Sequence, residues 1–458
     1  MGNWDDVSVA RRYHERTKHS FESVRRSAHR LEWENRPSPW KEYRSLAPVV
    51  LPEALPLARV LRWGAGVVRR REVGPGDAYH FRTYASAGAL YPVEVYVAAG
   101  DLEGLAAGLY HFHPLENALR PLRAGDHRAV LAEAADAPEL ARAEAVLVLT
   151  GILWRTAWKY GARGYRHLYW DAGTMLANLL ALAREPRLVT GFVDARVNEL
   201  VGVDGKREAA LALLASGQAA RAGAPPPLRP LDLDVAPLSA HEREYPEAHA
   251  LHAASTLASV DELRRYRRPA PEPAPLAVAR IEQVLRRRGS ARTFTPAPLP
   301  VSDLEEILRD ATNPIPSDVP ALTRPYLIAN AVQGLEPGAY GFREREFELL
   351  KRGDFRARAA YLCLEQEHGG RAAATHFFLA DLDRTLVALG NRGYRAAQLE
   401  AGIRAGRVYL GSYARGYGAT GLTFYDDDVG RFFTAGTRFQ PMLCVAAGPY
   451  ARRAQIRR

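Results

Sequence analysis

The chain has 458 residues, 47% apolar and 25% charged, which is too long for one ordinary domain and excludes a mainly disordered chain, a collagen-like fibre and a small disulfide scaffold. Lys and Arg number 62 against 52 Asp and Glu, a net charge of +10 that suits an anionic cofactor or acidic partner; scattered among acids and without a recognition motif, it does not predict a nucleic-acid partner. No uncharged apolar run of about 18 residues occurs, the start Met1–Arg12 lacks the apolar stretch of a secretory signal, and the two cysteines, Cys363 and Cys444, read as reduced core residues, so a cytoplasmic protein with no membrane partner is expected.

Taken in chain order, residues 1–52 form a leader rich in basic residues and in Tyr13, Trp33, Trp40 and Tyr43. It suits a helical cap packed on the next segment. Its His14, His19 and His29 have no cysteine or carboxylate cluster at metal-ligand spacing, so no metal is expected. Residues 53–220 carry two apolar, β-branched runs, Glu94–Ala99 and Ala145–Thr150, that predict strands. Before the first runs Phe81-Arg-Thr-Tyr-Ala-Ser-Ala-Gly-Ala-Leu-Tyr-Pro92, whose small residues let a flat ring approach the backbone. After the second runs Trp158-Lys-Tyr-Gly161. The neighbouring Arg155 and Arg163 are expected to lower the pKa of Lys159 by like charge, which suits proton transfer by Lys159 or Tyr160. The spacing of Leu168, Ala172, Met175, Leu176 and Leu179 predicts a buried helix over Gly164–Ala183.

Residues 221–275 have a linker composition, with Pro225-Pro-Pro227 and Pro269-Ala-Pro-Glu-Pro-Ala-Pro275. One or two helices are expected within His241–Arg265, which makes the segment a strap. Residues 276–458 open with a predicted helix, Leu276–Arg287, that runs into Arg286-Arg-Arg-Gly-Ser-Ala-Arg292. Guanidinium groups beside a hydroxyl and freed backbone N–H groups suit a phosphate monoester. A solvated basic helix end has the same composition.

The chain repeats itself. Residues 153–166 recur at 382–395, and Asp171-Ala-Gly173 recurs as Glu400-Ala-Gly402, all at an offset of 229. Gly108-Leu-Tyr110 returns as Gly338-Ala-Tyr340 at an offset of 230, and Ala215-Ser-Gly217 as Ala446-Ala-Gly448 at 231. A near-constant offset over so long a span marks a duplicated domain. Two such copies joined by a strap predict an intramolecular pseudo-dimer.

The arginine–serine–arginine loop resembles the phosphate loop of nitroreductase-type flavoproteins. Ser86–Pro92 and Trp154–Arg166 resemble the azoline-dehydrogenase, or SagB-type, branch of that family, over roughly residues 50–220 and 276–450. The resemblance implies an α+β, three-layer nitroreductase-like fold, duplicated in one chain, that binds FMN at the interface of the copies. It implies a phosphate grip by Arg288, Ser290 and Arg292, and a ring bed of Ser86, Ala87, Gly88 and Leu90. Thr423 and Phe424 would lie near flavin N5, and the tail arginines Arg452 and Arg453 would close on the phosphate. Copy two has Ala388-Leu389 where copy one has Lys159-Tyr160, and Ser317–Pro325 where copy one has the small-residue loop. One FMN site per chain is therefore expected, with the mirrored site empty.

The reaction expected is oxidation of an azoline-type heterocycle, with hydride passing to FMN and Lys159 or Tyr160 taking the neighbouring proton. The substrate is a small molecule or a peptide residue, the latter bringing peptide-modifying pathway proteins as partners; pairing into a further homodimer stays open. The alternatives are an NAD(P)H-dependent nitro- or quinone reductase, and a non-catalytic pseudo-enzyme that binds a peptide or partner protein.

Overall fold

Runs that are apolar at every position need cover on both faces. In the computed structural model, which describes residues 6–74, 77–268, 278–434 and 438–451, Val93–Ala99, Ala145–Ile152 and Glu208–Ser216 are such strands, buried along their whole length. They form the middle of a seven-stranded antiparallel sheet. Its spatial order is Val49–Val50, Ala118–Ala124, Gly108–His113, Val93–Ala99, Ala145–Ile152, Glu208–Ser216 and Arg187–Val189. Copy two repeats this order without the first strand: Glu346–Arg352, Gly338–Arg343, Thr323–Ala329, Ala374–Asp381, Phe439–Gly448 and Gly418–Leu422. Even the register breaks recur, at Leu149/Thr150 and Phe378/Leu379, again 229 residues apart. The fold is α+β and duplicated, as expected.

The expected helix Gly164–Ala183 spans Gly164–Leu182, and its counterpart is a longer helix, Arg392–Ala414. Both are buried on nearly every side because each is sandwiched between its own sheet and the other helix. The close approach requires glycine. A Cβ on Gly173 would stand 2.4 Å from Leu399 O and 2.5 Å from Gly402 Cα, and one on Gly402 would stand 2.6 Å from Trp170 O. Gly173 and Gly402 are equivalents in the repeat, so each touches its own counterpart. That is the mark of a two-fold, isologous interface.

Two ion clusters, one the mirror of the other, seal this seam. Arg163 and Arg166 of copy one donate to Asp426 of copy two at 2.9 and 2.6 Å. Arg392 and Arg395 of copy two donate to Asp194 of copy one at 2.6 and 3.2 Å. Burial opposes ionisation of Asp426, but the two guanidinium groups hold its carboxyl well below the usual range. Removing one partner of such a group leaves uncompensated buried charge. Asp426→Ala is expected to cost about 3–5 kcal/mol in urea denaturation; a change below about 1 kcal/mol would show that the cluster is solvated.

The leader covers more than copy one. Its helix Ser8–Arg16 sits on the seam, where the Arg166 guanidinium reaches His14 O at 2.7 Å and Ala10 N donates to Asn391 Oδ1 of copy two at 3.1 Å. Its second leg lies on copy one: Trp158 Nε1 donates to Glu32 O at 3.0 Å and Arg155 Nε to Ser38 O at 2.8 Å. In its basic run Arg25–Arg30, Arg25 lies 3.8 Å from Glu365 and His29 2.9 Å from Trp158 O. The strap has two helices, Pro246–Ala254 and Val260–Tyr266; its proline-rich stretch at 269–275 falls outside the described residues. No described helix is long and apolar enough to cross a membrane. Cys363 and Cys444 are buried free thiols, 3.6 Å apart.

Candidate active site at the seam

The small-residue loop before Val93 folds back sharply: Gly88, Ala89 and Tyr91 all have positive φ, at 64°, 53° and 48°. Such a loop needs ties from outside. The central helix of copy one supplies them. Ser86 Oγ donates to Asp171 Oδ2 at 2.5 Å, Ala87 N to Asp171 Oδ1 at 3.0 Å, and Thr174 Oγ1 to Ala85 O at 2.5 Å. Copy two supplies the rest. Buried Arg288 donates from Nε to Thr83 O at 2.9 Å, and from Nη2 to Arg82 O at 2.9 Å and Tyr84 O at 3.0 Å. Arg288 and Ser86 therefore belong to one site.

The predicted phosphate helix begins at Ile281, and its last turn is followed directly by Arg288. With its Nε and Nη2 on carbonyls, Arg288 braces the ring loop; Ser290 and Arg292 are the motif residues left facing outward. Ser290 Oγ lies 3.3 Å from Tyr409 Oη, which also accepts Gly421 N at 2.6 Å. Arg292 is exposed, with no ion pair among the described residues. A Cβ on Gly289 would find its nearest neighbours at 3.8 and 3.9 Å, namely Tyr413 Oη and Arg69 Nη2. The two nearest groups are thus a hydroxyl and a guanidinium at uncrowded distance, and Arg69 brings a cation that the sequence did not point to. It arrives from copy one on the hairpin Val67–Gly74 and Asp77–Arg82. Arg452 and Arg453 lie outside the described residues.

Lys159 and Tyr160 end the helix Leu153–Tyr160, which Gly161 terminates at φ 57°. A Cβ on Gly88 would stand 3.1 Å from Tyr160 Oη and 3.2 Å from Lys159 Nζ, so the pair faces the turn of the ring loop. The Lys159 pKa is lowered, chiefly by burial and then by the charges of Arg36 and Arg292. The expected source was different. Arg155 is instead wholly buried against Glu94 and donates to Tyr91 O at 3.0 Å, and Arg163 is spent on Asp426. Neither is available to a substrate. Burial raises the Tyr160 pKa, with Asp171 adding to the effect, so Tyr160 keeps its proton.

His167, which the sequence reading passed over, stacks on Tyr160 at 3.9 Å and 9°. Both its ring nitrogens are buried without a partner, and burial holds it neutral. Its only signal was position, one helical turn before Asp171. The row continues through Trp170 to Phe424 of copy two, with ring centroids 4.4 and 6.1 Å apart. The side chain of Leu90 is buried with Ile152, Trp154 and Trp158 and anchors the loop, which leaves its backbone to meet a ligand. The side chain of Phe424 is likewise fully buried, which leaves only its backbone to meet a cofactor.

The mirrored site provides a control within the same molecule. Arg187 opposes Ala215 and Thr420 opposes Ala446, so the sheet register pairs Thr190 with Thr423. Thr423 Oγ1 is shielded from solvent and has no partner. The same hydroxyl of Thr190 meets Asp318 at 2.7 Å and Tyr266 of the strap at 2.8 Å. Asp318 also takes Thr190 N at 3.0 Å and Gly191 N at 2.7 Å. What remains is a narrow cleft of about 70 Å³ lined by Thr190, Ile315, Val319, Glu400 and Arg404 among others. A buried hydroxyl without a partner costs free energy unless a ligand satisfies it. By that criterion the Thr423 hydroxyl is left for a ligand to meet, and Ser290, Arg292 and Arg69 are a hydroxyl and two cations of the kind that suit a phosphate. In the mirrored site the Thr190 hydroxyl is met from within. No group of three or more metal-ligating side chains occurs among the described residues.

Comparison with known proteins matches the nitroreductase family twice, over residues 50–218 and 285–448. A protein of Methanocaldococcus jannaschii ascribed to the nitroreductases is 30% identical over 136 residues, which cover 28% of this chain and 68% of the relative. The microcin B17-processing protein McbC of Escherichia coli is 30% identical over 140 residues; the match covers 28% of this chain and only about half, 52%, of McbC. A crystal structure from Anabaena variabilis, of a protein also ascribed to the nitroreductases, superposes with a TM-score of 0.81 at 26% identity. It covers 97% of this chain and 99% of that one, so both copies and their arrangement are shared.

Proposed function

The chain belongs to the nitroreductase family, and from that premise we propose that it is an FMN-dependent dehydrogenase with one cofactor site, built at the seam from parts of both copies. The observation that carries the proposal is the contrast between the Thr423 hydroxyl, shielded and unsatisfied, and that of Thr190, satisfied by Asp318 and Tyr266. FMN when bound supplies a two-electron acceptor for hydride. Ser290, Arg292 and Arg69 hold its phosphate, the Ser86–Gly88 backbone and the Thr423 hydroxyl bed the ring, and Arg288 keeps the ring loop in place.

The proton falls to Lys159. Its lowered pKa gives a larger neutral fraction near physiological pH, which a base requires. Tyr160, held protonated, orients the substrate by hydrogen bonding, and His167 fixes the phenol by stacking. The substrate we assign is an azoline-type heterocycle or a related peptide-derived group, oxidised by loss of hydride from carbon and of the neighbouring proton to Lys159. Support comes from the Trp154–Arg166 motif and from the likeness to McbC, a processing protein. Arg36, half-buried on the leader with its guanidinium 5.7 Å from the centre of the Tyr79 ring, adds positive charge near Lys159.

The test is the absorbance spectrum of the full chain, with FMN counted by equilibrium dialysis. One FMN per chain is expected. Two tightly bound FMN per chain would end the single-site reading, and a colourless protein that FMN does not reconstitute would favour a peptide-binding pseudo-enzyme. Bleaching by NAD(P)H as fast as by heterocycle would favour a nitro- or quinone reductase.

A further inference from the structure

Buried carboxylates in this molecule repeatedly meet a cation: Asp426 and Asp194 at the seam, Glu94 with Arg155, Glu208 with Lys41, and Glu400 with Arg404. Asp171 does not. It is only 3% exposed, and its partners are the Ser86 hydroxyl and the Ala87 N–H of the ring loop. The groups nearest it are a histidine held neutral and two protonated phenols, with the one amine further off. On its own helix, His167 lies one turn before; on the loop side stands Tyr84; on the helix that ends at Tyr160, the phenol faces it, with Lys159 beyond Gly88. No guanidinium or ammonium is paired with it among the described residues.

Copy two shows the same device with one difference. Glu400, the equivalent of Asp171, accepts Leu322 N at 2.8 Å and Thr323 N at 2.9 Å from the corresponding loop. One turn further on, Arg404 donates to Glu400 at 2.9 Å. At the offset of 229, the residue in the place of Arg404 is the fully buried Met175. The plugged half thus has a loop tied by a compensated carboxylate, and the open half a loop tied by an uncompensated one.

We propose that Asp171 is a positioning residue that ties down the ring loop as a neutral acid, and that loss of its proton loosens the loop and with it the grip on the cofactor. The cofactor half of this statement rests on the FMN reading above. The protonated group keeps the loop's contacts: Oδ1 still accepts Ala87 N–H, Oδ2–H donates to Ser86 Oγ in place of the reverse, Ser86 Oγ keeps Tyr91 N–H, 2.9 Å away, on its second lone pair, and the hydroxyl hydrogen of half-buried Ser86 turns to solvent. Opening the loop returns the carboxyl to water, where it ionises like an ordinary aspartate. The closed loop therefore binds the proton more tightly than the open one, so by linkage the proton favours closure. Burial pushes the closed-state pKa up to about 7, against a Ser86 and Ala87 contribution that lowers it. The loop is then held below neutrality and progressively released above it.

The test follows amide exchange in the peptide spanning the ring loop, in the full-length apoprotein and corrected for the intrinsic pH dependence of exchange. FMN affinity is measured alongside by fluorescence quenching over the same pH range. In the wild type, protection and affinity are expected to be high below the inflection and to fall above it by up to about tenfold per pH unit, the one-proton slope. Asp171→Asn is expected to be protected and flat across the range. Met175→Arg, which transplants the cation of copy two, is expected to move the inflection at least one unit lower. Wild-type exchange without an inflection, or an inflection that persists in Asp171→Asn, would overturn the proposal. Failure to bind FMN at any pH would remove the flavin reading and the cofactor half, while the exchange profile still decides the loop.

Discussion

Lys159→Ala is expected to keep its full complement of FMN and to lose heterocycle oxidation by about 10²–10⁴-fold, the usual worth of a positioned base. The separation of the two effects is the point. Lys159 faces the turn at Gly88 and makes no described tie that holds the loop, whereas Asp171, Thr174 and Arg288 do hold it. Copy two already carries the variant, since Ala388 stands in register with Lys159 in the half where Asp318 meets the Thr190 hydroxyl. The wild-type rate should rise with pH through the lowered pKa of Lys159 and then level, because only the neutral amine takes a proton. Lys159→Arg should not rescue, since a guanidinium stays charged throughout. Equal turnover in wild type and Lys159→Ala would remove the base assignment.

The second large effect is expected far from the chemistry. Gly402→Val places a side chain 2.6 Å from Trp170 O and 2.9 Å from Gly173 Cα. Both obstacles are backbone, so no rotamer change relieves them and the central helices must part. A loss of about 3 kcal/mol or more is expected in urea denaturation, at the upper end of overpacking. FMN retention should fall with it, because Arg288 reaches Thr83 and Tyr84 only while the copies are docked. Gly223→Ala, where an added Cβ meets nothing within 4 Å, is the matched control and should change stability little. A Gly402→Val chain as stable as the control would mean that the helices do not cross there.

What could be read from the sequence was what is local or repeated. The constant offset gave away the duplication, short β-branched runs gave the strands, and Ser86–Gly88 with Lys159-Tyr160 marked two parts that the fold does bring together. What stayed hidden spans hundreds of residues. Arg288 braces carbonyls 204 to 206 positions away, and Arg163 finds Asp426 at a separation of 263. Arg155 and Arg163 were expected beside Lys159 because each lies one helical turn from it in sequence, but burial forces each to a carboxylate elsewhere. Arg69 was illegible for another reason: one of three consecutive arginines on an exposed hairpin, it looks like solvated charge until the hairpin is seen to reach Gly289. The placement of helix Ser8–Arg16 across the seam, against both copies, was equally beyond reach, since nothing in its amphipathic pattern says that two surfaces receive it.

The fates of Thr190 and Thr423 have a consequence for heredity. In a homodimer one codon writes both members of every symmetric pair, so Asp318 could not stop one cavity without stopping its twin. Within a single reading frame the two positions mutate separately, and Tyr266 comes from a stretch that has only one copy to serve. Fusion thus allows one cavity to be retired while the other keeps its trade, a division of labour closed to two identical subunits.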